Sequence, residues 1–463
     1  MKTKKHPKET TNKMAVMPVP KLMLSMGIPM VLSMMLQAAY NIVDSAFVGG
    51  MKENGEIALN ALTLAFPVQM LMVAVAIGTG VGMGAMLSMR LGQGEREKVA
   101  QAAGNGIFLG MVIYVVFLLF GLFGAKAYIA SQTQNGLAAS MAVTYLRICC
   151  VMSMGIVFFS IYEKLLQATG NSLYSTIAQI AGAITNIVLD PIMIYGLLGL
   201  PEMGVAGAAW ATVIGQIVSL VLALVFYLRK NTEVQNHIRY LRPQGSLIRE
   251  IYAIGLPAII AQALMSVMTY GLNLILGTIS ESAVTAYGLY YKVQQFILFA
   301  AFGLRDAITP IVSFNYGKRD KKRVQGGIRC GMLYTLVIML FGTLLLEAEA
   351  SAFATLFGLS GETREMCISA MRVISLSFVF AGANVAFQGI FQALESGLES
   401  LVISVCRQML FVLPVAYGFS LIARMEKDKI WLVWLTFLLA EALSCAIACG
   451  FMARLWKRKI KEA

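Results

Sequence analysis

Charged residues are scarce in this chain of 463 residues. Asp, Glu, Lys and Arg make up 13% of it, against 58% hydrophobic residues and a mean hydropathy of +0.73. A soluble domain carries roughly 25% charged residues. A soluble fold of this size would lack the polar side chains needed to cover its surface. The shortage of charge therefore argues against a soluble enzyme and indicates a membrane protein.

Histidine is almost missing, since only His6 and His237 occur, both in basic polar segments. This argues against a histidine-based metal or catalytic site. The seven cysteines form no CxxC pair and lie mostly within apolar runs, so we expect reduced thiols that pack in the interior. The chain also lacks P-loop, GxSxG and HExxH motifs. We therefore expect no enzyme activity, no metal and no cofactor.

Long apolar runs recur along the whole chain, and each approaches the ~20 residues that cross a bilayer as a helix. They predict an all-α integral membrane protein with twelve transmembrane helices in two pseudo-symmetric six-helix bundles. The bundles would cover 22–228 and 248–454, joined by a linker at 229–247, with basic termini at 1–21 and 455–463. The predicted spans are 22–49, 58–88, 99–124, 138–167, 173–198, 204–228, 248–278, 284–314, 325–348, 365–393, 398–423 and 430–454.

The basic residues predict an orientation. Twenty-two Lys and Arg residues fall on one side of the predicted membrane and six on the other. Because cytoplasmic loops are rich in Lys and Arg, both termini should be cytoplasmic, in the inner or plasma membrane of a bacterium. Orientation in the lipid bilayer thus accounts for the net charge of +13, and we expect no nucleic-acid partner.

The two halves of the chain repeat each other. The last three of five repeated pairs share a separation of 225 positions. Six spans per half give both halves the same orientation, so we expect a symmetry axis along the membrane normal and a cavity between the halves. The pairs are Gly27 and Gly255, Pro29 and Pro257, Gly92 and Gly317, Arg147 and Arg372, and Gln167 and Gln392.

Polar residues on the first span share one helical face, at spacings i, i+3, i+4 and i+7. They are Gln37, Tyr40, Asn41 and Asp44. A carboxylate at the bilayer centre costs roughly 2.5–3.5 kcal/mol on insertion scales, so it usually faces a cavity or a partner. The alternative is that Asp44 lies at the outer end of the helix and contacts water. Because the whole stripe is polar, we expect a cavity.

The fifth and sixth spans carry a similar pattern. Asn186 and Asp190 share a face, and Pro191 behind them removes a backbone hydrogen bond. The alternative is a structural kink with an acid near the outer end. Thr212 and Gln216 share a face of the sixth span, where helix–helix hydrogen bonds are the alternative. We expect these side chains to form one polar network with the stripe on the first span.

Three further acids have less certain surroundings. Glu163 ends the fourth span beside Lys164, nearer the basic side than the two aspartates, and an interfacial position is the alternative. In the second half, Asp306 adjoins Arg305, and Glu441 has Arg372 or Arg407 as a candidate partner, so neutralised pairs are expected. Amides and a hydroxyl there predict a polar cavity in the second bundle. Its residues are Gln262, Ser266, Asn273, Asn384 and Gln388.

Several of these motifs together resemble the multidrug and toxic compound extrusion (MATE) transporters, in particular the DinF/MepA-like branch. They are Asp44 within VDSAFVG, the NxxxDP run from Asn186 to Pro191, and SFNYG at 313–317. The likeness covers nearly the whole chain. It implies a cation-coupled antiporter that exports lipophilic cationic drugs or dyes by alternating access.

The resemblance also implies roles for individual residues. Asp44 and Asp190 would be cation-coupling acids, with Asn186 and Thr212 in their polar network. Glu163, at a fourth-span position that is acidic in MepA-like members, would be a third coupling acid. We expect H⁺ as the coupling ion, with Na⁺ as the alternative, and a monomer. The rival function is a flippase for lipid-linked precursors or polysaccharides of the same superfamily, which should line its cavity with basic residues.

Overall fold

The computed structural model describes residues 12–356 and 358–461, without the side chains of Asn41, Lys427 and Lys461. The predicted basic N-terminus at 1–21 is therefore described only from residue 12, and His6 lies outside the described residues. Across these two ranges the structure is almost entirely helical and contains no β-strand. Helices satisfy their own backbone hydrogen bonds, which a bilayer core requires.

Twelve membrane helices follow a short N-terminal helix, Lys13–Val16, among the described residues. Ten of the twelve are continuous, and two consist of a pair of segments joined at a bend. The helices are α1 Val19–Gly49, α2 Gly55–Gly92, α3 Arg96–Ala130, α4 Gly136–Val151 with Met154–Ala168, α5 Ser172–Tyr195, α6 Val205–Lys230, α7 Gly245–Gly277, α8 Glu281–Gly317, α9 Lys321–Leu356, α10 Gly361–Ser375 with Phe378–Ala393, α11 Gly397–Met425 and α12 Asp428–Ile460. The twelve-helix all-α fold is confirmed, and all seven cysteines are free.

The bends occur at equivalent places in the two halves. The segments of α4 meet at 44° and those of α10 at 52°. The breaks lie at 152–153 and 376–377, so Ser153 and Ser377 stand about one repeat length apart. The sequence predicts one straight span in each case, because a bend between two apolar segments leaves the hydropathy unchanged. In both helices the second segment is the more deeply buried of the two.

Close glycine contacts reproduce the repeat in three dimensions. A Cβ on Gly78 of α2 would lie 3.0 Å from the backbone nitrogen of Ile259 on α7. The equivalent Gly303 of α8 has the same relation to Val31 of α1, at 2.7 Å. Gly92 likewise packs against Phe314, and its counterpart Gly317 against Met89. Reciprocal contacts of this kind are what a twofold axis between two similar units produces.

The closest contacts between the bundles lie at one end of the molecule. We call this the basic end, because it carries the starts of α1 and α7, the ends of α2 and α8, and most of the Lys and Arg residues. Ser313 Oγ on α8 donates to the Ala85 carbonyl on α2 at 2.6 Å. A Cβ on Gly27 of α1 would lie 2.8 Å from Leu304 of α8. The basic end is therefore closed.

The N-terminal helix closes the basic end further by contacting both bundles. Asn12 Nδ2 donates to the Thr169 carbonyl at 3.0 Å, in the loop between α4 and α5, and to Glu233 of the linker at 2.7 Å. On the other side, Arg323 donates to the carbonyls of Met14 and Met17 at 2.9 and 2.7 Å. The Met14 side chain is fully buried in the core that α8 lines.

Candidate functional site

The polar stripe of α1 faces the interior of the first bundle. Exposed apolar residues of α1, including Leu24, Ile28, Leu32 and Ile42, lie on the side of the helix opposite to Asp44 and contact the lipid zone. Gln37, Tyr40 and Asp44 are partly buried on the inner side. The side chain of Asn41 lies outside the described part of the structure. Asp44 Oδ1 is buried and has no hydrogen-bond partner among the described residues.

Asp190 lies opposite this stripe, on α5, and is completely buried. Asn186 Nδ2 donates to Asp190 Oδ1 at 3.2 Å and also lies 3.5 Å from Thr212 Oγ1 on α6. Gly215 permits this close approach, since a Cβ there would lie 3.1 Å from the Asn186 Cβ. The second oxygen of Asp190 and the Asn186 amide oxygen have no partner among the described residues. The predicted link between α5 and α6 is thus formed, with acceptors left unsatisfied.

Asp44 is the charged residue that interacts electrostatically with Asp190 inside the first bundle. Two ionised carboxylates held out of water repel each other, and each loses hydration. The pair therefore favours binding a proton or a cation. The amide and hydroxyl groups around the pair are neutral. They can orient a bound proton or cation, but unlike a Lys or Arg side chain they do not neutralise the carboxylates in its place.

Three members of this site escaped the sequence analysis. Gln69 Nε2 on α2 lies 3.3 Å from Tyr145 OH and 3.4 Å from Cys149 Sγ on α4. Asp44 interacts electrostatically with both Tyr145 and Cys149. The face of α4 that carries Tyr145 and Cys149 is otherwise apolar, so its sequence shows no polar pattern. Only the contacts with Gln69 in the structure identify these two residues as members of the site.

Two glutamines, of which Gln216 was predicted, occupy the basic-end side of this site. Gln216 is partly buried on α6, where its stem packs against Gly155 of α4. Gln179 of α5 accepts a hydrogen bond from Ser33 of α1, which fastens the two helices that carry the aspartates. The network therefore connects α1, α2, α4, α5 and α6 within the first bundle.

Glu163 belongs to a different cluster. It is buried, and Gln167 Nε2 donates to its Oε1 at 3.1 Å. Its charged neighbours are Lys164 and Asp306 rather than the aspartates of the first bundle. Glu163 therefore lies apart from the two aspartates and faces the contact between the bundles, in agreement with its place nearer the basic side of the fourth span. Its role as a coupling acid stays a prediction. We call Glu163, Lys164, Gln167, Arg305 and Asp306 the inter-bundle charge cluster.

The acids of the second bundle are neutralised, as expected. Asp306 Oδ1 accepts from Arg305 at 2.8 and 3.0 Å, while Oδ2 lies 2.6 Å from Lys164 Nζ. Glu441 of α12 pairs with Arg407 at 2.6 Å. Arg407 occupies a widened turn of α11, Cys406–Leu410, which brings its side chain to α12. Of the two candidate partners of Glu441, Arg407 forms the pair.

The predicted polar cavity of the second bundle divides into two groups. Gln262, Ser266 and Asn273 are exposed on one side of α7, away from its exposed apolar residues. Asn384 and Gln388 of α10 are buried instead. Asn384 donates to Glu441 at 2.7 Å and Gln388 to Ser404 Oγ at 2.9 Å. Of the two groups, only the α7 group therefore faces open space, because the α10 amides donate hydrogen bonds to side chains of neighbouring helices.

The contacts place the candidate site on the open side of the molecule. The bundles meet at the basic end, whereas the polar stripe of α7 and the aspartates of α1 and α5 lie toward the opposite end. We infer a cleft between the bundles that opens away from the basic end. This is one of the two arrangements that alternating access requires.

Comparisons with known proteins agree with this architecture. The chain is 24% identical over 440 residues to the multidrug export protein MepA of Staphylococcus saprophyticus, covering 95% of this chain and 94% of that protein. It is equally similar to MepA of Staphylococcus aureus, over 448 residues, 96% of this chain and 95% of that protein. Both relatives are transporters rather than enzymes, as expected here.

Solved structures show the same fold. One, described as the outward-facing conformation of a multidrug resistance MATE family transporter of the MOP superfamily, has a TM-score of 0.89 at 24% identity, covering 98% of this chain and all of that one. A MATE structure in complex with MaL6 has a TM-score of 0.88 at 25% identity, covering 96% and 99% of the two chains. The MatE family model matches residues 29–192 and 257–418, one match in each bundle, so the chain belongs to the MatE family.

Proposed function

We propose that this protein is a cation-coupled multidrug efflux antiporter that exports lipophilic cationic compounds by alternating access. The observation that carries the proposal is the pair of carboxylates, Asp44 and Asp190, which lie inside the first bundle with no cationic partner in the part of the chain that the structure describes. The MepA relatives, named as multidrug export proteins, support efflux as the activity.

The pair supplies a simple exchange. When both carboxylates are ionised, the site attracts a positively charged drug, and the neighbouring tyrosines offer rings for its aromatic part. When protons bind from the opposite end, the site loses its charge and releases the drug. We propose H⁺ as the coupling ion, because burial of two like charges favours the neutral form of a carboxylate. Na⁺ coupling is the alternative.

The direction of transport follows from the basic residues. We assign the basic end to the cytoplasm, because Lys and Arg accumulate on the cytoplasmic side of membrane proteins. The cleft then opens outward, and closure of that end with opening of the basic end would expose the aspartates to the cell interior. Drug would enter from inside and leave when protons reach the pair from outside. The protein would act as a monomer, since each chain contains both bundles.

The test uses purified protein in vesicles. Asp190→Asn should leave the protein folded and abolish ethidium transport driven by a pH gradient, because the site loses a titrating group. Asp428→Asn changes an exposed aspartate by the same chemistry and should transport like the wild type. Full transport by Asp190→Asn would exclude the mechanism.

Two further arms decide the ion and the cargo. Imposing H⁺ and Na⁺ gradients separately identifies the coupling ion, and we expect ethidium transport with the H⁺ gradient. A fluorescent lipid-linked precursor replaces ethidium in the second arm. Movement of the lipid without ethidium transport would favour the flippase function, which the acidic rather than basic lining of the site argues against.

A further inference from the structure

The inter-bundle charge cluster contains two acids and two bases, and each bundle supplies one of each. Glu163 and Lys164 come from α4, and Arg305 and Asp306 come from α8. The ion pair between Lys164 and Asp306 crosses the boundary, with side-chain exposures of 6% and 4%. A buried pair of this kind is costly to break, because each charge would remain without a partner.

The two bases of the cluster are not shared equally between its two acids. Asp306 receives both cations, Lys164 on one oxygen and Arg305 on the other. Glu163 has a hydrogen bond from the neutral amide of Gln167 instead. The same Gln167 accepts from Lys164 Nζ at 2.9 Å, so one amide separates the lysine from the second acid of its own helix.

Separation of the bundles at the basic end would pull Lys164 away from Asp306. Asp306 would keep Arg305, which is its neighbour on α8. Lys164 would be left in the first bundle, where Glu163 is the acid within reach. Each bundle can therefore end with one neutral pair, and no buried charge is left alone.

The surroundings of Lys164 suit such a movement. A Cβ on Gly80 of α2 would lie 2.8 Å from Lys164 Cγ, so the glycine leaves room for the lysine stem. A cavity of about 20 Å³ lies beside the pair, lined by Lys164, Gln167, Asp306 and Thr309. Five residues without polar side chains complete the lining. The volume suffices for one water molecule, which can contact the four polar side chains and solvate the ammonium group as it changes partner.

We propose that Glu163 is the reserve counterion of Lys164, which exchanges Asp306 for Glu163 when the basic end opens. Glu163 is then a positioning residue for the gate rather than a coupling acid. This inference rests on the alternating access of the proposed function. It accounts for a buried glutamate that the aspartate site does not use.

The two acids should have opposite effects on the gate. Asp306→Asn removes the pair that closes the basic end, so the open form gains population. Glu163→Gln removes the partner that Lys164 needs after opening, so the closed form gains population. Glu163→Asp keeps the charge and should behave like the wild type. Hydrogen–deuterium exchange of segments 84–92 and 309–317, in full-length protein in lipid nanodiscs, reports the opening of the basic end.

We expect exchange in these segments to change by roughly tenfold or more, faster for Asp306→Asn and slower for Glu163→Gln. Unchanged or faster exchange in Glu163→Gln would overturn the proposal. If Asp306→Asn does not fold, the comparison of Glu163→Gln with Glu163→Asp decides alone. Opposite shifts in a protein that does not transport ethidium would reject the efflux function while supporting the partner exchange. Ethidium transport together with exchange shifts in the same direction for both variants would support the efflux function and reject the partner exchange.

Discussion

The two bundles share one helical framework but handle buried charge in opposite ways. In the first bundle Asp44 and Asp190 have no cationic partner within the described ranges 12–356 and 358–461, whereas Asp306 and Glu441 of the second bundle are both paired with bases. The position equivalent to Asp44 in α7 is the buried Leu272. Glycines occupy equivalent crossing positions in both halves at Gly78 and Gly303 and at Gly92 and Gly317, whereas the ionisable residues differ between the halves.

The cations at the boundary illustrate the same divergence. In the first bundle Lys164 of α4 packs over Gly80 of α2, and in the second Arg305 of α8 packs over Gly389 of α10, both with 2.8 Å to the lysine or arginine Cγ. Gly80 and Arg305 are equivalent positions, as are Lys164 and Gly389, each 225 apart. The cation and the glycine have changed places. Both cations nevertheless reach the same carboxylate, Asp306, whose own counterpart is Val81.

The largest expected effect concerns stability and separates paired from unpaired acids. Arg407→Met leaves Glu441 buried without its base, which should lower the free energy of unfolding by about 3–5 kcal/mol. Asp190→Asn removes an acid that has no base, so it should leave stability unchanged or increased. Thermal unfolding in detergent measures both.

The control for this comparison is the double variant Arg407→Met with Glu441→Gln. It removes both charges together and keeps an amide that Asn384 can contact. Most of the lost stability should return, because replacing a buried ion pair with neutral groups is often close to neutral. A double variant as unstable as Arg407→Met would show that shape rather than charge holds α11 against α12.

The second prediction tests whether packing is symmetric where charge is not. Gly92→Ala and Gly317→Ala each place a methyl group against the backbone of the opposite bundle, at Phe314 and Met89 respectively. Both should destabilise the closed basic end by a similar amount, about 1–3 kcal/mol. The measurement is hydrogen–deuterium exchange of segments 84–92 and 309–317.

Gly288→Ala is the matched control, because this glycine lies on α8 with no atom within 4 Å of the added methyl group. It should be neutral or slightly stabilising, since alanine favours the helix over glycine. Very different effects of Gly92→Ala and Gly317→Ala would mean that the two helix crossings contribute unequally to the stability of the closed basic end, which would contradict the pseudo-twofold arrangement.

Much of the fold could be predicted because hydropathy measures a property of single helices. The first span, expected at 22–49, is Val19–Gly49, and the fifth, expected at 173–198, is Ser172–Tyr195. The ninth was expected at 325–348 but continues to Leu356, since a helix can extend past the apolar run into polar surroundings. The bends in α4 and α10 could not be predicted, because both sides of each break are apolar.

The site was predicted where its residues share one helix and missed where they do not. Periodicity alone places Gln37, Tyr40 and Asp44 on one face of α1. The contact of Lys164 with Asp306 joins residues 142 positions apart, which no local spacing encodes. The sequence places Glu163 nearer the basic side than the aspartates, but it does not identify the residues that Glu163 meets at the contact between the bundles. Long-range partners therefore decide its surroundings.

The smallest expected effect concerns the N-terminal helix, which contacts the two bundles through different groups. Arg323 of the second bundle donates two hydrogen bonds to it, so Arg323→Ala should loosen this helix by about 1 kcal/mol. Trypsin cleavage after Lys13 should then become about fivefold faster, because cleavage tracks the population of the undocked form. Lys322→Ala alters the exposed neighbouring residue and should leave the rate unchanged. If both variants were cleaved alike, Asn12, with its contacts to the first bundle and the linker, would be the dominant attachment, and the second bundle would hold the helix through Met14, whose side chain is buried and whose carbonyl accepts from Asn315 at 3.3 Å.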